Sequence, residues 1–410
     1  MRVLQVNKFY HIVGGTDRNF LELSSLLTKK KNRVALFSMK DNRNYSSPWE
    51  KYFVSNVDLS KKDFLNSLKV ISRIFYSLEA KKKINLLLDD FKPDIAHVHQ
   101  IYHHISPSIL LELKKRNIPI VHTVSDYHLI SPHHNNLFHN GKICEVSKVR
   151  RFYNTVLHKC VKDSYLASFV EAVEQYFHRL FGFYSNTIDY YIAPSRFLEK
   201  KLIEYNIPER KICHIPYFIH ADKYEPDFTP GRYVLYFGRL SSEKGLLFLT
   251  HVIEKLPKIK FKIIGDGIEK DNLVKIKNQK QLNNLEIISR FIPENELKGY
   301  IRKSRFTILP SESYEIFGIS PLEAFALGKL VVTSDMGALP EVNRDGETGF
   351  VFQSGKVNNC IEKISKLWYD KQLCKRLGKN ARNYVEKYFG PEEHYEKLMA
   401  IYKEAIAKHK

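Results

Sequence analysis

The residues of this sequence best suited to chemistry lie between Leu309 and Gly328, a stretch that carries two glutamates, Glu315 and Glu323. The pattern predicts a strand that ends at Leu309, a loop, and a helix that begins at Pro321, since proline is favoured at the first helical position. Glu315 then lies in the loop before the helix, and Glu323 lies one turn inside it. A helix start can bind phosphate oxygens, and a carboxylate can accept hydrogen bonds from two neighbouring sugar hydroxyls.

Glu323 has a second interpretation on local grounds. The run Ser320-Pro321-Leu322-Glu323 has the spacing of a capping box, with Ser320 as the N-cap and Glu323 at the third helical position. Glu323 could therefore cap the helix or bind a ribose, and both interpretations stay open at this point. Backbone N–H groups near Gly318 and Ile319 are expected at the helix start in either case.

A second constellation, Arg239 and Lys244, follows a strand that is predicted to end at Phe237. A diphosphate leaving group gains negative charge as its bond to a sugar breaks, and two fixed cations can stabilise that charge. Arg239 offers a bidentate fork, and Lys244 offers a point charge. The alternative is an ordinary turn with a surface arginine and lysine. The turn Gly265-Asp266-Gly267 is a weaker signal, because any tight turn would explain it.

The segment from Glu315 to Glu323 resembles the signature of family-4 retaining glycosyltransferases of the GT-B fold: two glutamates with seven residues between them, Phe-Gly after the first and Leu-Glu-Ala at the second. The resemblance implies that Glu315 contacts the donor sugar and Glu323 the ribose, and that Arg239 and Lys244 hold the pyrophosphate. The implied donor-binding residues are Gly15, Arg239, Lys244, Glu315, Phe317, Gly318, Ile319 and Glu323. The implied catalytic residues are Glu315 and Asp126.

Two segments of the N-terminal half extend the resemblance. Gly14-Gly15-Thr16 follows the first strand, where paired glycines let a backbone approach a bulky ligand and Thr16 is suited to cap the next helix. The segment Ile118–Pro132 resembles a family stretch that ends its strand with His-Asp-Tyr, but Ser125 occupies the histidine position before Asp126. A serine can donate a hydrogen bond there but carries no positive charge. Asp126 is the candidate site residue of this segment.

Strand–helix alternation along both halves predicts the fold class: α/β, with two Rossmann-like domains facing across a cleft in the GT-B arrangement and a C-terminal crossover helix. The first domain is predicted at 1–220, as the acceptor-binding domain, with a helical insertion near 131–184 that fits the alternation poorly. The second is predicted at 221–388, as the nucleotide-sugar-binding domain. A terminal helix within 389–410 is expected to pack back on the first domain.

No Asp-x-Asp motif occurs in the chain, which predicts an enzyme that holds its diphosphate without metal, because Mg²⁺ or Mn²⁺ would need clustered carboxylates. No cofactor is expected beyond the nucleotide-sugar co-substrate. Ser131, Cys144, Ser147 and Cys160 stand where some relatives carry four cysteines at a spacing suited to a zinc or iron–sulfur knuckle. With two serines in that set, free cysteines are expected, and the five scattered cysteines argue against a disulfide framework.

The formal net charge of +20 at pH 7 has two interpretations: it favours anionic partners, namely phospholipid, nucleic acid or phosphorylated substrates, or it reflects a solvated surface rich in lysine. No motif for binding RNA or DNA accompanies the charge, so nucleic acid is not an expected partner. The helix predicted around Lys61–Lys83 combines an apolar stripe with lysines, so it either packs on its sheet or docks on an anionic membrane. The sequence has no apolar run long enough to span a membrane and no signal peptide. The expected location is the cytoplasm, with peripheral attachment to the inner face of the cell membrane as an option.

The resemblance therefore implies a metal-independent retaining glycosyltransferase that moves a sugar from a UDP- or GDP-linked donor to a glycan or lipid-linked acceptor in bacterial surface polysaccharide synthesis. No nucleophile stands out, which favours same-face transfer within an ion pair, through an oxocarbenium-like state. Two alternatives remain: a sugar-nucleotide epimerase of the same fold, and an inactive relative that binds a nucleotide sugar or another anionic ligand.

Overall fold

The computed structural model describes residues 1–56, 70, 73–133, 137–290 and 292–410. Most of the stripe predicted over Lys61–Lys83 lies outside these residues. The chain divides into two units. Unit 1 comprises Met1–Asn135, Glu145–Pro216 and His394–Lys410, and unit 2 comprises Asn136–Cys144 and Tyr217–Glu393. The main division falls at 216/217, where the sequence predicts 220/221.

The strands of the first half are β1 (Arg2–Val6), β2 (Arg33–Phe37), β3 (Ile95–Val98), β4 (Ile120–Thr123), β5 (Phe138–His139), β6 (Lys142–Ile143), β7 (Tyr190–Ala193) and β8 (Ile212–His214). Six of these strands form the parallel sheet of unit 1, in the order β2-β1-β3-β4-β7-β8. Every residue of β3, β4 and β7 is buried, as expected where helices cover both faces of a parallel sheet. Strands β5 and β6 form a separate antiparallel hairpin that the sequence does not predict.

The helices of unit 1 before the crossover are α1 (Gly15–Lys29), α2 (Leu78–Phe91), α3 (Ser108–Lys115), α4 (Tyr153–Leu157), α5 (Tyr165–Leu180) and α6 (Arg196–Glu204). Serine N-caps begin three of them, since Ser77, Ser164 and Ser195 each accept a hydrogen bond from the backbone N–H three residues later. The predicted insertion near 131–184 thus contains α4 and α5 together with the β5–β6 hairpin.

Helix α5 lies with its polar side inward. Its buried residues are Ser168, Glu171, Ala172, Glu174, Gln175 and His178. Its outer face, exposed by 36% to 81% at each position, consists of Tyr165, Leu166, Phe169, Val173, Tyr176 and Leu180. A helix on a protein surface ordinarily buries its apolar stripe, so hydrophobic burial alone does not explain how α5 is oriented.

Unit 2 has six further strands: β9 (Val234–Phe237), β10 (Phe261–Ile264), β11 (Leu285–Ile288), β12 (Phe306–Leu309), β13 (Val331–Ser334) and β14 (Gly349–Phe352). They form a second parallel sheet in the order β11-β10-β9-β12-β13-β14. The sequence does not predict the edge strand β14. Its apolar run is short, and it begins at Gly349, where an added Cβ would lie 1.9 Å from the Val331 carbonyl oxygen of the neighbouring strand.

The helices of unit 2 are α7 (Leu246–Glu254), α8 (Lys270–Gln279), α9 (Glu294–Lys303), α10 (Ile319–Ala326), α11 (Leu339–Val342), α12 (Val357–Tyr369) and α13 (Lys371–Tyr388). Side chains of β9 alternate between two buried clusters: Val234 and Tyr236 belong to one, and Leu235 and Phe237 belong to the other. The sheet is therefore covered on both faces, as the alternation of strands and helices in the sequence predicts.

A last helix, α14 (Pro391–Ala407), returns the chain to unit 1 from His394 onward. There the Tyr402 hydroxyl lies 2.6 Å from His97 Nδ1 and accepts a hydrogen bond of 3.3 Å from Gln5 Nε2. The fold-class prediction of two parallel α/β units and a C-terminal crossover helix is confirmed. Among the described residues, no helix has both the length and the apolar character needed to cross a bilayer.

Candidate functional site

In unit 2, two loops meet because their strands are neighbours. Strands β9 and β12 pair in parallel, with Phe306 opposite Val234, so their carboxyl ends lie at the same edge of the sheet. The chain leaves β9 toward Arg239 and Lys244, and leaves β12 toward Glu315. Ligands of open parallel α/β sheets bind at this edge.

At Gly245 the backbone of the loop after β9 packs directly against the backbone of the loop after β12. Its φ of 68° lies in the left-handed region, and a Cβ at this position would lie 1.9 Å from the Pro310 carbonyl oxygen. Glu312 N also donates a hydrogen bond of 3.0 Å to the Glu243 carbonyl oxygen. Lys244 is therefore held against the loop that carries Glu315.

We expect Gly245→Ala to lower the free energy of unfolding by about 1–3 kcal/mol, because it adds both a left-handed strain and a backbone clash. Thermal denaturation measures the effect. The matched control is Gly299→Ala in α9, where an added Cβ meets no atom within 4 Å; that change should be neutral or stabilising. Equal stability of the two variants would contradict the close approach.

Lys244 and Glu315 form a direct ion pair. Lys244 Nζ donates to Glu315 Oε1 at 2.6 Å, and the side chains are only 17% and 10% exposed. The Ser311 hydroxyl donates to the same carboxylate oxygen, and the Glu315 carbonyl accepts from Ala338 N at 2.8 Å. The sequence assigns these two side chains to separate parts of a ligand, whereas the structure joins them. An anion bound by Lys244 must compete with the Glu315 carboxylate.

Arg239 is the more accessible cation, with its side chain 61% exposed. It donates to Glu243 Oε1 at 2.6 Å and to Ser241 Oγ at 3.2 Å. Burial by itself would raise the pKa of Glu243, but the Arg239 guanidinium and the Ser241 hydroxyl outweigh it, so this pKa is lowered. Glu243 is therefore a fixed anion that binds one edge of the Arg239 guanidinium, while most of the side chain is exposed to solvent.

Helix α10 begins earlier than the sequence predicts, and the capping interpretation of Glu323 is wrong. The N-cap is Gly318, at φ 91°, and the first helical residue is Ile319. Pro321 is thus the third helical residue, a position that tolerates proline because its N–H has no partner within the helix. Ser320 lies inside the first turn and Glu323 farther along the helix, so the ribose interpretation of Glu323 stays a prediction.

Phe317 lies in the core. Its side chain is 4% exposed, and its ring lies 5.2 Å from Tyr217 and 5.8 Å from Phe389, centroid to centroid. It therefore anchors the loop, and any contact with a ligand has to come from its backbone. Gly318 and Ile319 are both partly exposed at the start of the helix, so the predicted donor set from Glu315 to Ile319 forms one short, anchored turn.

In unit 1, helix α1 begins directly after the predicted glycine turn, but Thr16 is not its cap. Gly14 is the N-cap and Gly15 the first helical residue. Asp17 Oδ2 accepts from Gly14 N at 3.1 Å and from Val13 N at 3.3 Å, so a carboxylate two residues inside the helix does the capping. Gly15 is exposed, and its role in binding stays a prediction.

Asp126 lies in the loop after β4 and accepts hydrogen bonds at both of its carboxylate oxygens. Oδ2 accepts from Gln100 Nε2 at 2.8 Å and from the Tyr102 hydroxyl at 2.6 Å, and Oδ1 accepts from His128 N at 2.9 Å. The neighbouring Ser125 Oγ is buried and has no hydrogen-bond partner within the described parts of the chain. A small pocket lined by His99, Ile101, Tyr102, His122, Val124, Ser125, Asp126, His128, Leu129 and Tyr184 opens beside these residues.

Three residues of this site are not predicted from the sequence: Lys8, Gln100 and Tyr102. Burial lowers the pKa of Lys8, while the Asp126 and Asp17 carboxylates act in the opposite direction. Burial and then Asp126 raise the pKa of Tyr102 well above its usual value, so this hydroxyl stays a hydrogen-bond donor. Lys8 follows β1 and Gln100 follows β3, so their positions just past the ends of predicted strands are the signal that could have identified them.

Within the Ser131, Cys144, Ser147 and Cys160 set, the two serines contact each other directly. Ser131 Oγ and Ser147 Oγ are hydrogen-bonded at 2.7 Å, and both side chains are buried. No disulfide bond joins any of the five cysteines, all of which lie in the described parts of the chain.

Two α/β units, each built on a six-stranded parallel sheet, are the architecture of the GT-B fold. The crystal structure of HepE from Anabaena in complex with UDP and glucose has this fold, with a TM-score of 0.68 and 15% identity over 98% of this chain and 100% of that one. The chain belongs to glycosyltransferase family 4. The family described as Glycosyltransferase Family 4 matches residues 13–223, and that described as Glycosyl transferases group 1 matches residues 222–384.

Two relatives illustrate the range of the family. The sulfoquinovosyl transferase SQD2 of Arabidopsis thaliana is 33% identical over 158 residues, which are 38% of this chain and 30% of that protein. The chain thus spans less than a third of the length of this relative. An uncharacterized 42.6 kDa protein in the cps region of Klebsiella pneumoniae is 22% identical over 359 residues, which are 84% of this chain and 88% of that protein.

Proposed function

We propose that this chain is a retaining glycosyltransferase that moves a sugar from a UDP- or GDP-linked donor to a glycan or lipid-linked acceptor in the synthesis of a bacterial surface polysaccharide. The observation that carries the proposal is the Lys244–Glu315 pair at the start of α10. A cation, a carboxylate and helix N–H groups are the groups that a diphosphate sugar needs for recognition. The cps-region relative and the UDP- and glucose-bound structure of the same fold support this class of donor and product.

In the proposed reaction, the donor diphosphate replaces the Glu315 carboxylate as the ion-pair partner of Lys244. Arg239 swings its exposed guanidinium onto the same diphosphate, and the N–H groups of Gly318 and Ile319 complete the anion site. No metal is needed at the diphosphate, because two cations and a helix dipole stabilise the charge of the leaving group. The released Glu315 carboxylate accepts hydrogen bonds from the donor sugar, and Glu323 accepts from the ribose. The bond between the sugar carbon and the diphosphate oxygen then breaks, the acceptor oxygen bonds to the same face of that carbon within the ion pair, and the acceptor proton passes to the departing diphosphate. A trapped covalent glycosyl–enzyme adduct would contradict this step.

Asp126 is the proposed catalytic residue of unit 1. Its carboxylate is oriented by Gln100, Tyr102 and the His128 backbone N–H. Because these donors already engage both oxygens, Asp126 serves best as a fixed negative charge and hydrogen-bond acceptor for the acceptor hydroxyl. The buried Ser125 hydroxyl adds a donor where relatives carry a histidine.

A screen of UDP-, GDP- and ADP-linked sugars, by thermal shift and by hydrolysis, tests the function. At least one donor should stabilise the protein and be hydrolysed slowly, and the failure of all of them would refute the donor site. Conversion of a donor without any acceptor would identify the epimerase alternative. Binding without turnover in the presence of acceptor extracts would identify the inactive binding relative.

We further propose that the partner of the outer face of α5 is an anionic membrane, so that this cytoplasmic enzyme works at the inner face of the cell membrane. The face is apolar and exposed, and basic residues adjoin it. Lys159 Nζ lies 4.4 Å from the centre of the Tyr165 ring, and the Tyr176 hydroxyl donates to the Arg150 carbonyl at 3.0 Å. An apolar helix face flanked by lysine and arginine is suited to the surface of a charged bilayer, where a lipid-linked acceptor would be found.

Co-sedimentation with vesicles tests this membrane surface. The native chain should bind phosphatidylcholine vesicles that contain phosphatidylglycerol and bind pure phosphatidylcholine weakly. The combined variant Leu166→Ser, Phe169→Ser, Leu180→Ser should bind at least ~10-fold less, since each side chain loses burial worth about 1 kcal/mol or more. Ile268→Ser, at an 85% exposed position of unit 2, is the control and should bind normally. Unchanged binding of the triple variant would exclude this face.

A further inference from the structure

The inward face of α5 presents an unusual concentration of ligating side chains. Glu171, Glu174 and His178 lie three and four residues apart, so they share one side of the helix. Their exposures are 8%, 0% and 2%. His103, from the loop after β3, and His128, from the loop after β4, face the same point, so five residues from three segments converge inside unit 1.

Glu174 is at the centre of this cluster. Its carboxylate oxygens lie 3.5 Å from His103 Nε2, 3.4 Å from His128 Nε2 and 3.6 Å from His178 Nδ1. Within the described parts of the chain, neither oxygen has a hydrogen-bond partner of acceptable geometry. A fully buried carboxylate without hydrogen bonds is costly unless a cation compensates it.

The His178 imidazole also faces the Glu174 carboxylate. Its Nε2 lies 3.0 Å from the Phe75 carbonyl oxygen. A carbonyl can only accept, so Nε2 carries the proton, and the Nδ1 of a neutral imidazole then directs its lone pair at the Glu174 carboxylate. Two lone pairs that face each other across 3.6 Å repel, so a positive ion bound to the Glu174 carboxylate would offset this repulsion.

The spacing of the other ligand atoms fits a metal ion. One atom from each of His103, His128, Glu171 and Glu174 lies within 4.8 Å of all the others. Three of the separations are 3.0, 3.4 and 3.5 Å. Ligands about 2.0–2.1 Å from a tetrahedral zinc ion are roughly 3.3–3.4 Å from one another, so the cluster needs only small adjustments to close around an ion.

We propose that unit 1 contains a binding site for one divalent transition-metal ion, with Zn²⁺ as the best match, formed by His103, His128, Glu171 and Glu174 and oriented by His178. Two imidazoles and two carboxylates suit zinc better than Mg²⁺ or Ca²⁺, which prefer oxygen alone. Zinc joins α5 to the loops after β3 and β4. It also fixes His128, whose backbone N–H binds Asp126, so the site positions the Asp126 loop. The inference concerns metal binding and does not depend on sugar transfer.

The first test is the metal content of the whole chain, purified without a histidine tag or chelator. Elemental analysis should find close to one equivalent of transition metal per chain. A chelator should remove it and lower the melting temperature, and added ZnCl₂ should restore both. Cobalt loaded in place of zinc should give visible absorption bands. A chain that neither carries a stoichiometric metal nor retains zinc after loading would overturn the proposal.

Variants test the assignment of the ligands. Glu174→Gln and His128→Ala should bind zinc more than 10-fold more weakly, a loss at least as large as that seen when a residue behind a metal ligand is changed. Because Glu174 is fully buried, Glu171→Gln provides a second, less buried change with the same expectation. The control is Glu112→Gln, which alters another buried carboxylate of unit 1, one that is paired with Lys115. Folded Glu171→Gln and Glu174→Gln proteins that bind zinc as tightly as this control would refute the site.

Discussion

Replacing Glu315 with glutamine should reduce sugar transfer by about 10²–10³-fold in kcat, the range found when one preorganised transition-state contact is lost, while nucleoside diphosphate binding is kept or tightened. In the proposed reaction, the diphosphate competes with Glu315, which lies 2.6 Å from Lys244 in the structure, for this cation. Glutamine can still accept from Ser311 but carries no charge, so Lys244 becomes available to the diphosphate. Transfer kinetics and calorimetric titration with UDP and GDP measure the two effects separately.

Glu312→Gln is the matched control for this prediction, because it removes a carboxylate three residues earlier in the same loop. It should leave transfer near the native rate. If Glu315→Gln retained full activity, or lost nucleotide affinity together with activity, the sugar contact assigned to Glu315 would be wrong.

Replacing Lys244 with methionine should have the opposite effect on binding. The affinity for nucleoside diphosphate should fall at least ~10-fold, because the variant lacks a cation and leaves the Glu315 carboxylate, only 10% exposed, without its partner beside the proposed diphosphate site. Transfer should fall at least as much as in Glu315→Gln. Titration calorimetry and initial rates are the measurements, with Lys255→Met at an exposed position of unit 2 as the control.

The double variant Lys244→Met, Glu315→Gln separates the ion pair from its members. Removing both charges should recover part of the nucleotide affinity that Lys244→Met loses, since the repelling carboxylate is absent. Additive effects of the two changes would mean that the two side chains do not interact when ligand binds. A double-mutant cycle on binding therefore tests the contact itself.

The architecture could be predicted from the sequence because strand and helix periods are local signals. The strands predicted to end at Phe237 and Leu309 are β9 and β12 of the structure, whereas the sequence does not predict β14, a short edge strand that begins at Gly349. The sequence predicts that α10 begins at Pro321, two residues later than it does, because proline is favoured at the first helical position. The actual start depends on Gly318 in a left-handed conformation, which no local preference for proline or serine reveals.

The sequence predicts some of the side chains of the candidate site but not which of them contact one another, because those contacts depend on tertiary structure. The sequence marked Lys244 and Glu315 separately, but their ion pair joins residues 71 positions apart through neighbouring strands. Lys8, Gln100 and Tyr102 carry no motif, and their relation to Asp126 depends on the order of β1, β3 and β4. The spacing Glu171-x-x-Glu174-x-x-x-His178 was visible in the sequence, but only the loops with His103 and His128 make it a cluster.

The reversed orientation of α5 has a consequence for local stability. Helix α5 buries two carboxylates and one imidazole and exposes tyrosine, leucine and phenylalanine side chains, so it gains little from hydrophobic burial. Its free energy of local opening therefore depends on what binds its two faces. In the chelated chain away from membranes, its backbone amides should exchange hydrogen faster than those of α1 or α14. The proposed zinc ion on the inner face of α5 and the proposed bilayer on its outer face both stabilise the helix in its folded position. By linkage, zinc should therefore tighten membrane binding, and the membrane should tighten zinc binding.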